Sequence, residues 1–370
     1  MRVLFVILGA YSKTGGIEKF NQNIVECLKS NQMKIDKASV ISLWDSREVL
    51  PASSYKINFI GANHSKVVFL IEFLQAMIKL RPNIIVYGHL FLSPLAILGK
   101  ILVPHSKQHV VVYGFEAWGI EFIPPGYRAP TSLETFAAIK LCDGIISISK
   151  FTRDKMIKAY RLPCEKSIIL PCTIGYWREQ IEALSEKRVR KHTLLTVCRL
   201  DIYKGVDKVI RALPLILQDF PDVMYWVVGD GPLKQEWQKL AIELGVDERM
   251  HFWGRVDEQV LVKIYQQADI FIMPSTGEGF GIVFLEAWQY GLPVIGSNVD
   301  ASAEVIGSFG ITVDPTDIQA IADRVKDLFF DAEKSRMLGR LGYERLLDNY
   351  TLDSFCDNLS KILCSSVIGK

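Results

Sequence analysis

Short runs of apolar residues alternate along the chain with longer segments in which apolar residues recur every three or four positions. The short runs have the length of strands, and the longer segments have the spacing of amphipathic helices. The predicted strands are residues 3–8, 38–43, 84–86, 110–113, 144–148, 168–170, 194–197, 223–228, 250–253, 270–273, 294–296 and 311–313. Because strands that are apolar almost throughout are typical of parallel sheets with helices on both faces, the pattern predicts an α/β fold.

The predicted strands form two series, which indicates two facing Rossmann-like, doubly wound domains with a cleft between them. A break over residues 171–191, where prolines precede a charged stretch, separates an N-terminal domain (1–175) from a C-terminal domain (176–351). The final segment, about 352–370, has helical spacing. Ligands of such sheets bind beyond the carboxyl ends of the strands, so residues that follow strands are the candidates for function.

Length and charge narrow the class of protein. The 370 residues, of which 49% are hydrophobic, are enough for two cores, and the net charge of +2 argues against a nucleic-acid-binding protein. Residues 1–175 contain 21 Lys/Arg and 12 Asp/Glu (net +9), whereas the remainder contains 22 and 29 (net −7). A basic N-terminal half fits an anionic partner, such as a membrane surface or a phosphorylated substrate; an ordinary uneven surface charge is the alternative.

The seven cysteines form no CxxC pair and no metal-ligand spacing with the six histidines. We therefore expect reduced thiols, no disulfide framework and no zinc site in a cytoplasmic protein. The first apolar run is a buried strand rather than a signal peptide, and no apolar run is long enough for a transmembrane helix. Residues 67–80 are predicted to cover the sheet, with a position in a membrane interface as the alternative.

Residues 278–286 are the most informative segment of the chain. They follow the apolar run 270–273 and begin a short predicted helix that ends at Gly291. The first N–H groups of a helix lack partners within the helix and bind anions, whereas carboxylates such as Glu278 and Glu286 suit sugar hydroxyls. The segment therefore predicts a site for a ligand that carries both phosphate and sugar.

Other candidate residues also follow predicted strands. Arg199 and Lys204 come after the strand 194–197, and two cations at a strand end can neutralise a diphosphate. Gly15 and Gly16, after the first strand, allow a close backbone approach to a ligand, although a plain tight turn fits equally well.

A second set lies in the N-terminal half. Tyr113, Glu116 and Trp118 follow the strand 110–113, where an acid and two aromatic rings suit a sugar ring. His89 follows the strand 84–86. Either Trp118 or His89 could instead be a packed structural residue.

Taken together, these motifs resemble the retaining family 4 glycosyltransferases of GT-B fold. The resemblance covers nearly the whole chain. The motifs that carry it are Gly15-Gly16-Ile17-Glu18, Ser147 to Arg153, Arg199 with Lys204-Gly205-Val206-Asp207, Gly229-Asp230-Gly231-Pro232, and the two glutamates Glu278 and Glu286.

The resemblance implies a nucleotide-sugar donor, with no cofactor, held mainly by the C-terminal domain. Arg199 and Lys204 would bind the diphosphate, Glu286 the ribose and Glu278 the hydroxyls of the donor sugar, which makes Arg199, Lys204 and Glu278 the expected catalytic residues. The other implied donor contacts are Gly16, Arg255, Val256, Gly279, Phe280, Gly281, Ile282 and Val283. The N-terminal domain would bind the acceptor, and the final helix would pack back on it.

The resemblance also implies a mechanism. The sugar would be transferred with retention by attack on the face that the diphosphate leaves, because Glu278, the obvious nucleophile, is placed on hydroxyls. No metal is expected, since the cations neutralise the leaving group and the chain has no Asp-x-Asp motif. Many members of the family have a histidine where Tyr113 stands, and a tyrosine with the ordinary pKa of about 10 cannot act as a base near neutral pH.

The identity of the substrates rests on family frequency. UDP-glucose is the first expectation for the donor, ahead of UDP-N-acetylhexosamine and GDP-mannose, and the acceptor is expected to be a saccharide or a lipid-linked saccharide. A lipid-linked acceptor would bring the basic N-terminal domain to the inner face of the membrane as a peripheral protein. Two alternatives remain: a nucleotide-sugar epimerase of the same fold, and a non-catalytic nucleotide-sugar-binding partner of a synthesis complex.

Overall fold

The computed structural model describes residues 1–30, 32–175 and 191–368. Two compact units make up this part of the chain: residues up to 175 together with 351–368, and residues 191–350. Most of the break predicted over residues 171–191 lies outside the described residues. Each unit contains one parallel sheet covered by helices, which confirms the predicted α/β class.

The N-terminal domain is built on a seven-stranded parallel sheet of order β3-β2-β1-β4-β5-β6-β7. Its strands are β1 (Arg2–Ile7), β2 (Lys37–Ser42), β3 (Ile57–Gly61), β4 (Ile84–Tyr87), β5 (Lys107–Val112), β6 (Gly144–Ser147) and β7 (Ser167–Ile169). The sequence pattern did not predict β3, in which Asn58 is exposed between the buried residues Ile57 and Phe59. This strand is at the edge of the sheet, where a continuous apolar run is not required.

The helices of this domain are α1 (Gly16–Lys29), α2 (Lys66–Leu80), α3 (Leu95–Leu102), α4 (Phe115–Trp118), α5 (Ser132–Phe136) and α6 (Lys150–Tyr160). Helix α2 is apolar on two faces. Phe69, Phe73 and Met77 are buried against the sheet, as predicted, but Val67 and Ile78 on the opposite face are 69% and 65% exposed. The prediction that residues 67–80 cover the sheet is therefore right for one face of the helix only.

The C-terminal domain has a six-stranded parallel sheet of order β10-β9-β8-β11-β12-β13. Its strands are β8 (Thr193–Val197), β9 (Met224–Val228), β10 (Met250–Gly254), β11 (Ile270–Met273), β12 (Val294–Ser297) and β13 (Ile311–Val313). Its helices are α7 (Val206–Leu217), α8 (Lys234–Glu243), α9 (Glu258–Gln267), α10 (Ile282–Gln289), α11 (Ala301–Ile306), α12 (Ile318–Phe330) and α13 (Ala332–Asn349). In both sheets the chain starts in the middle, fills one side and then the other, so each sheet has a point where the strand order reverses.

The last helix, α14 (Leu352–Ile368), belongs to the N-terminal unit. It packs on α1, where the Phe355 ring lies edge-on to Phe20, with centroids 5.3 Å apart. Cys356 on this helix forms a disulfide with Cys27 on α1, with the two Cα atoms 5.1 Å apart. The expectation that all thiols are reduced is therefore wrong for this pair. The two cysteines are 329 residues apart in sequence, so only the packing of the helices brings them together.

Within the described parts of the chain, no helix combines the length and the apolar character that a membrane crossing requires.

Candidate functional site

The strand order of the C-terminal sheet reverses between β8 and β11, which are hydrogen-bonded neighbours. Crevices at such points, beyond the carboxyl ends of the strands, are the usual ligand sites of doubly wound sheets. The loop after β8 carries Arg199 and Lys204, and the loop after β11 carries Glu278. The fold therefore brings two predicted cations and one predicted carboxylate to the edge where a ligand is expected.

A buried ion pair joins these two loops. The Lys204 ammonium donates to Oε1 of Glu278, and the two side chains are only 15% and 11% exposed. Burial alone would lower the pKa of Lys204, but the charge of Glu278, its hydrogen bond and the other negative groups nearby together raise the pKa. Lys204 therefore stays charged, so the site holds a permanent cation beside a carboxylate.

The loop that carries Lys204 needs a glycine at its end. Lys204 closes a 3-10 turn, Ile202–Lys204, and Gly205 follows it with a φ of 72°. A Cβ atom at Gly205 would collide with the carbonyl oxygen of Pro274 at the end of β11. The close approach of the two loops, and with it the Lys204–Glu278 contact, thus requires glycine at this position.

Asp300, which sequence reasoning missed, supports the loop that carries Glu278. Its carboxylate accepts hydrogen bonds from the Glu278 N–H (2.8 Å) and the Ser275 hydroxyl (2.8 Å). Burial, and next the charge of Glu278, raise the pKa of Asp300 to about 6. Its position just after the strand β12 is the one signal in the sequence that could have pointed to it.

The segment after Glu278 forms the start of α10. Gly279 is partly exposed, Phe280 is buried against Tyr350, and Gly281 is the N-cap residue with a φ of 86°. Ile282 and Val283, the first helical residues, are partly exposed, so solvent reaches the start of the helix.

Glu286 lies on α10, where it is largely buried. Its Oε2 atom accepts a hydrogen bond of 2.9 Å from the Tyr265 hydroxyl on α9. The Tyr265 ring stacks on Tyr290, with centroids 5.3 Å apart. Tyr265 is a second functional candidate that sequence reasoning missed, since a tyrosine within a helical pattern reads as a core residue.

The remaining predicted donor contacts of this domain lie at strand ends. The Arg199 side chain is 63% exposed and lies 3.6 Å from the Asp201 carboxylate. Arg255 is exposed and Val256 is partly exposed in the turn between β10 and α9. Both arginines are therefore accessible to solvent, and Arg199 is also paired with Asp201.

In the N-terminal domain, Gly16 is the first residue of α1, directly after the loop that follows β1. Asp45, at the end of β2, holds this loop: its carboxylate accepts the N–H groups of Ala10 (2.8 Å) and Ser12 (2.7 Å). Sequence reasoning missed Asp45 as well. Burial would raise its pKa, but hydrogen bonds led by those from Ser12 and Ser42 lower it.

His89 and Tyr113 lie side by side, with ring centroids 5.8 Å apart. Nδ1 of His89 accepts a hydrogen bond from the Phe91 N–H (3.2 Å), and burial lowers the pKa of His89, which favours the neutral ring. The Tyr113 hydroxyl lies 3.1 Å from both the Asn21 side-chain oxygen and the Gly88 carbonyl oxygen. Burial raises the pKa of Tyr113 well above its ordinary value, so this residue cannot act as a base.

The structure does not support a sugar platform at Glu116 and Trp118. The Glu116 carboxylate accepts the N–H groups of Tyr113 (2.6 Å) and Gly114 (3.1 Å), so it stabilises its own turn. Trp118 is buried, and its indole N–H donates to the Thr152 hydroxyl (3.2 Å). The sequence shows that these residues follow a strand but does not reveal which way their side chains point.

The ligand sets that proteins use to bind metal ions are groups of His, Cys, Asp and Glu side chains. Over residues 1–30, 32–175 and 191–368, no cluster of three or more His, Cys, Asp or Glu side chains could hold a metal ion.

Residues 178–345 match the family described as glycosyl transferases group 1. The chain is 29% identical over 276 residues to the GDP-mannose-dependent alpha-(1-6)-phosphatidylinositol monomannoside mannosyltransferase of Mycolicibacterium smegmatis, a match that covers 70% of each protein. The fold of this chain is similar to that of Anabaena HepE in complex with UDP (TM-score 0.77, 17% identity, covering 99% of this chain and 100% of HepE). It is also similar to that of sucrose-phosphate synthase from Thermosynechococcus elongatus (TM-score 0.78, 17% identity, 98% of each chain).

Proposed function

We propose that this chain, a GT-B glycosyltransferase, moves a hexose from a nucleotide sugar to a saccharide or lipid-linked saccharide. The premise is its GT-B fold together with the match of its C-terminal half to the family glycosyl transferases group 1. The observation that carries the proposal is the buried Lys204–Glu278 pair at the reversal point of the C-terminal sheet. A carboxylate beside a fixed cation suits a ligand in which sugar hydroxyls adjoin phosphate.

The diphosphate of the donor would bind Arg199, Lys204 and the N–H groups at the start of α10. Arg199 is exposed and can donate two parallel hydrogen bonds to a phosphate, whereas Lys204 supplies a point charge. The first N–H groups of α10 add the positive end of the helix dipole. These groups would stabilise the negative charge that develops on the diphosphate as the sugar departs.

Glu278 would hold the hydroxyls of the donor sugar, and Glu286 those of the ribose. Glu278 shares one carboxylate oxygen with Lys204, which reduces the repulsion between this carboxylate and the nearby diphosphate. Oε2 of Glu286 accepts a hydrogen bond from the Tyr265 hydroxyl, and this bond orients the carboxylate. Both glutamates then act as acceptors that position the donor rather than as nucleophiles.

The reaction we propose is retaining and proceeds on the face from which the diphosphate leaves. The bond between the anomeric carbon and the phosphate oxygen lengthens first, and the acceptor hydroxyl then forms the new glycosidic bond on the same face. The proton of that hydroxyl passes to the departing phosphate oxygen. Lys204 and Arg199 neutralise the leaving diphosphate throughout.

The donor nucleotide and sugar belong to this proposal as well. UDP-glucose is our first candidate, and one structure of the similar Anabaena HepE contains UDP-glucose. GDP-mannose is the second, because the relative from Mycolicibacterium smegmatis is named as GDP-mannose-dependent. A thermal-shift screen of nucleotide sugars would rank these donors by the increase in melting temperature that each produces.

The test of the proposed site compares three variants in a transfer assay. Lys204→Ala and Glu286→Ala should each lower transfer by orders of magnitude, because each removes a donor contact from a largely buried site. Lys208→Ala is the matched control, since Lys208 pairs with Asp207 nearby but outside the site. Full activity of both site variants would overturn the proposal, and a changed sugar in the donor alone would favour an epimerase.

We also propose that the N-terminal domain contacts an anionic membrane through α2. Val67, Ile71, Leu74 and Ile78 recur at helical spacing, and Val67, Ile71 and Ile78 are exposed. A helix with apolar residues on its outer face, in a domain of net charge +9, fits the interface of a membrane that carries the acceptor lipid.

Co-sedimentation with vesicles of anionic lipid tests this contact. Ile71→Glu with Ile78→Glu should weaken vesicle binding, and high salt should weaken the binding of the unchanged protein. Ile242→Glu is the control, because Ile242 is 64% exposed on α8 of the other domain. Equal binding of the double variant and the control would contradict the proposal.

A further inference from the structure

Asp300 and the next residue, Ala301, together hold the main chain of Glu278 on both sides. Its Oδ2 atom accepts the Glu278 N–H (2.8 Å), and the N–H of the next residue, Ala301, donates to the Glu278 carbonyl (3.2 Å). The same Oδ2 atom accepts the Ser275 hydroxyl (2.8 Å), and Oδ1 accepts the Ser302 N–H (2.9 Å). One carboxylate after β12 thus fixes the loop after β11.

Asp300 is also part of a buried group of charges. The residue is 3% exposed, and the charged groups that face it are Glu278 and Lys204. The nearby Cys198 thiol remains neutral, since burial raises its pKa to about 12. Because the pKa of Asp300 itself is raised to about 6, this residue gains a proton just below neutral pH.

We propose that ionised Asp300 is the positioning residue that sets where the Glu278 carboxylate stands relative to the donor sugar. The inference rests on the proposed function, in which Glu278 binds hydroxyls of the sugar. A carboxylate accepts all the hydrogen bonds that Asp300 receives, whereas a protonated carboxyl must place its own O–H among three donors. Protonation therefore loosens the Glu278 loop and misplaces the sugar.

The first test is the dependence of transfer on pH. The rate of transfer by the unchanged protein should decrease as the pH falls below about 6, and we call this decrease the acidic limb of the pH profile. Asp300→Asn should lower kcat by about tenfold or more, and its pH profile should lack the acidic limb. The affinity for the nucleoside diphosphate alone should stay the same, because that product lacks the transferred hexose that Glu278 would bind. Equal loss of transfer and of nucleoside-diphosphate affinity would overturn the proposal.

Two further variants separate positioning from a general structural role. Asp331→Asn is the matched control: Asp331 is also a helix N-cap of this domain and accepts the Lys334 N–H (2.9 Å). This variant should keep both kcat and the acidic limb. Ser275→Ala should move the limb to higher pH, because the Ser275 hydroxyl lowers the pKa of Asp300. An unmoved limb in Ser275→Ala would count against Asp300 as its origin.

A second measurement does not depend on turnover. Carbon-13 NMR of the carboxyl groups in the full chain should show Asp300 titrating near pH 6, with the Glu278 signal following the same titration. A Glu278 signal that ignores the titration would overturn the proposal whatever the donor is. If no nucleotide sugar supports transfer, the proposed function fails by itself, and this NMR experiment still decides the coupling of the two residues.

Discussion

Removing the cation from the Lys204–Glu278 pair should strongly destabilise the C-terminal domain. Lys204→Met keeps most of the length of the side chain but leaves the Glu278 carboxylate, 11% exposed, without its partner and close to Asp300. Breaking a buried ion pair by removing one member costs about 3–5 kcal/mol.

The carboxyl can avoid part of this cost by taking up a proton. Protonating a glutamate of ordinary pKa, about 4.3, costs about 3.7 kcal/mol at pH 7 and about 1.6 kcal/mol at pH 5.5. The loss of stability in Lys204→Met should therefore be about 3–4 kcal/mol at pH 7 and smaller by about 2 kcal/mol at pH 5.5. The loss of stability is smaller at pH 5.5 because an unpaired buried carboxyl binds its proton more tightly in the folded protein than in the unfolded chain.

Urea denaturation followed by tryptophan fluorescence measures this difference, since Trp237 and Trp288 are buried in the C-terminal domain. The double variant Lys204→Met with Glu278→Gln should recover about 2 kcal/mol of the sum of the two single changes. Lys208→Met is the control: its surface pair with Asp207 is worth at most about 1 kcal/mol. A loss below about 1 kcal/mol for Lys204→Met, or an equal loss at both pH values, would refute this account of the pair.

Three further predictions concern other parts of the chain. Asp45→Asn should destabilise the N-terminal domain by about 2 kcal/mol or more near neutral pH. Because the pKa of Asp45 is lowered, its contribution is present above about pH 4 and is lost on acidification, so acid titrations of the two proteins should converge; parallel curves would contradict this. Tyr265→Phe should raise the KM for the donor about tenfold by removing a hydrogen bond to Glu286, measured at a temperature at which a thermal unfolding curve shows the variant to be folded. Thiol titration of the denatured, unreduced protein should give five free thiols, and seven would exclude the disulfide between Cys27 and Cys356.

The sheets could be predicted because their strands are buried on both faces. In β1, for example, every residue from Val3 to Ile7 is buried, so the strand is visible as one apolar run. The edge strand β3 has an exposed Asn58 in its centre and escaped the same reasoning. Strand prediction thus succeeded for strands whose two faces are both buried and failed for the edge strand, which has exposed residues.

The candidate site could be predicted only where a residue's position along the chain implies its place in space. Lys204 and Glu278 follow strands, and parallel strands end at one edge, so their contact follows from the topology. Side-chain direction does not follow from spacing, and for that reason Trp118 was predicted at a ligand site but is buried. Asp300 and Asp45 were missed because an aspartate after a strand is common, and its hydrogen-bond partners lie on other loops.

The most direct test of hexose transfer by this protein follows the anomeric carbon of the donor sugar. The full chain would be incubated with carbon-13-labelled UDP-glucose or GDP-mannose, with and without a panel of saccharide and lipid-linked acceptors, and observed by NMR. We predict a new α-glycosidic signal that requires an acceptor and disappears in Lys204→Ala. Undiminished transfer by Lys204→Ala, or a changed sugar in the donor without any acceptor, would contradict the proposal that this site transfers a hexose with retention.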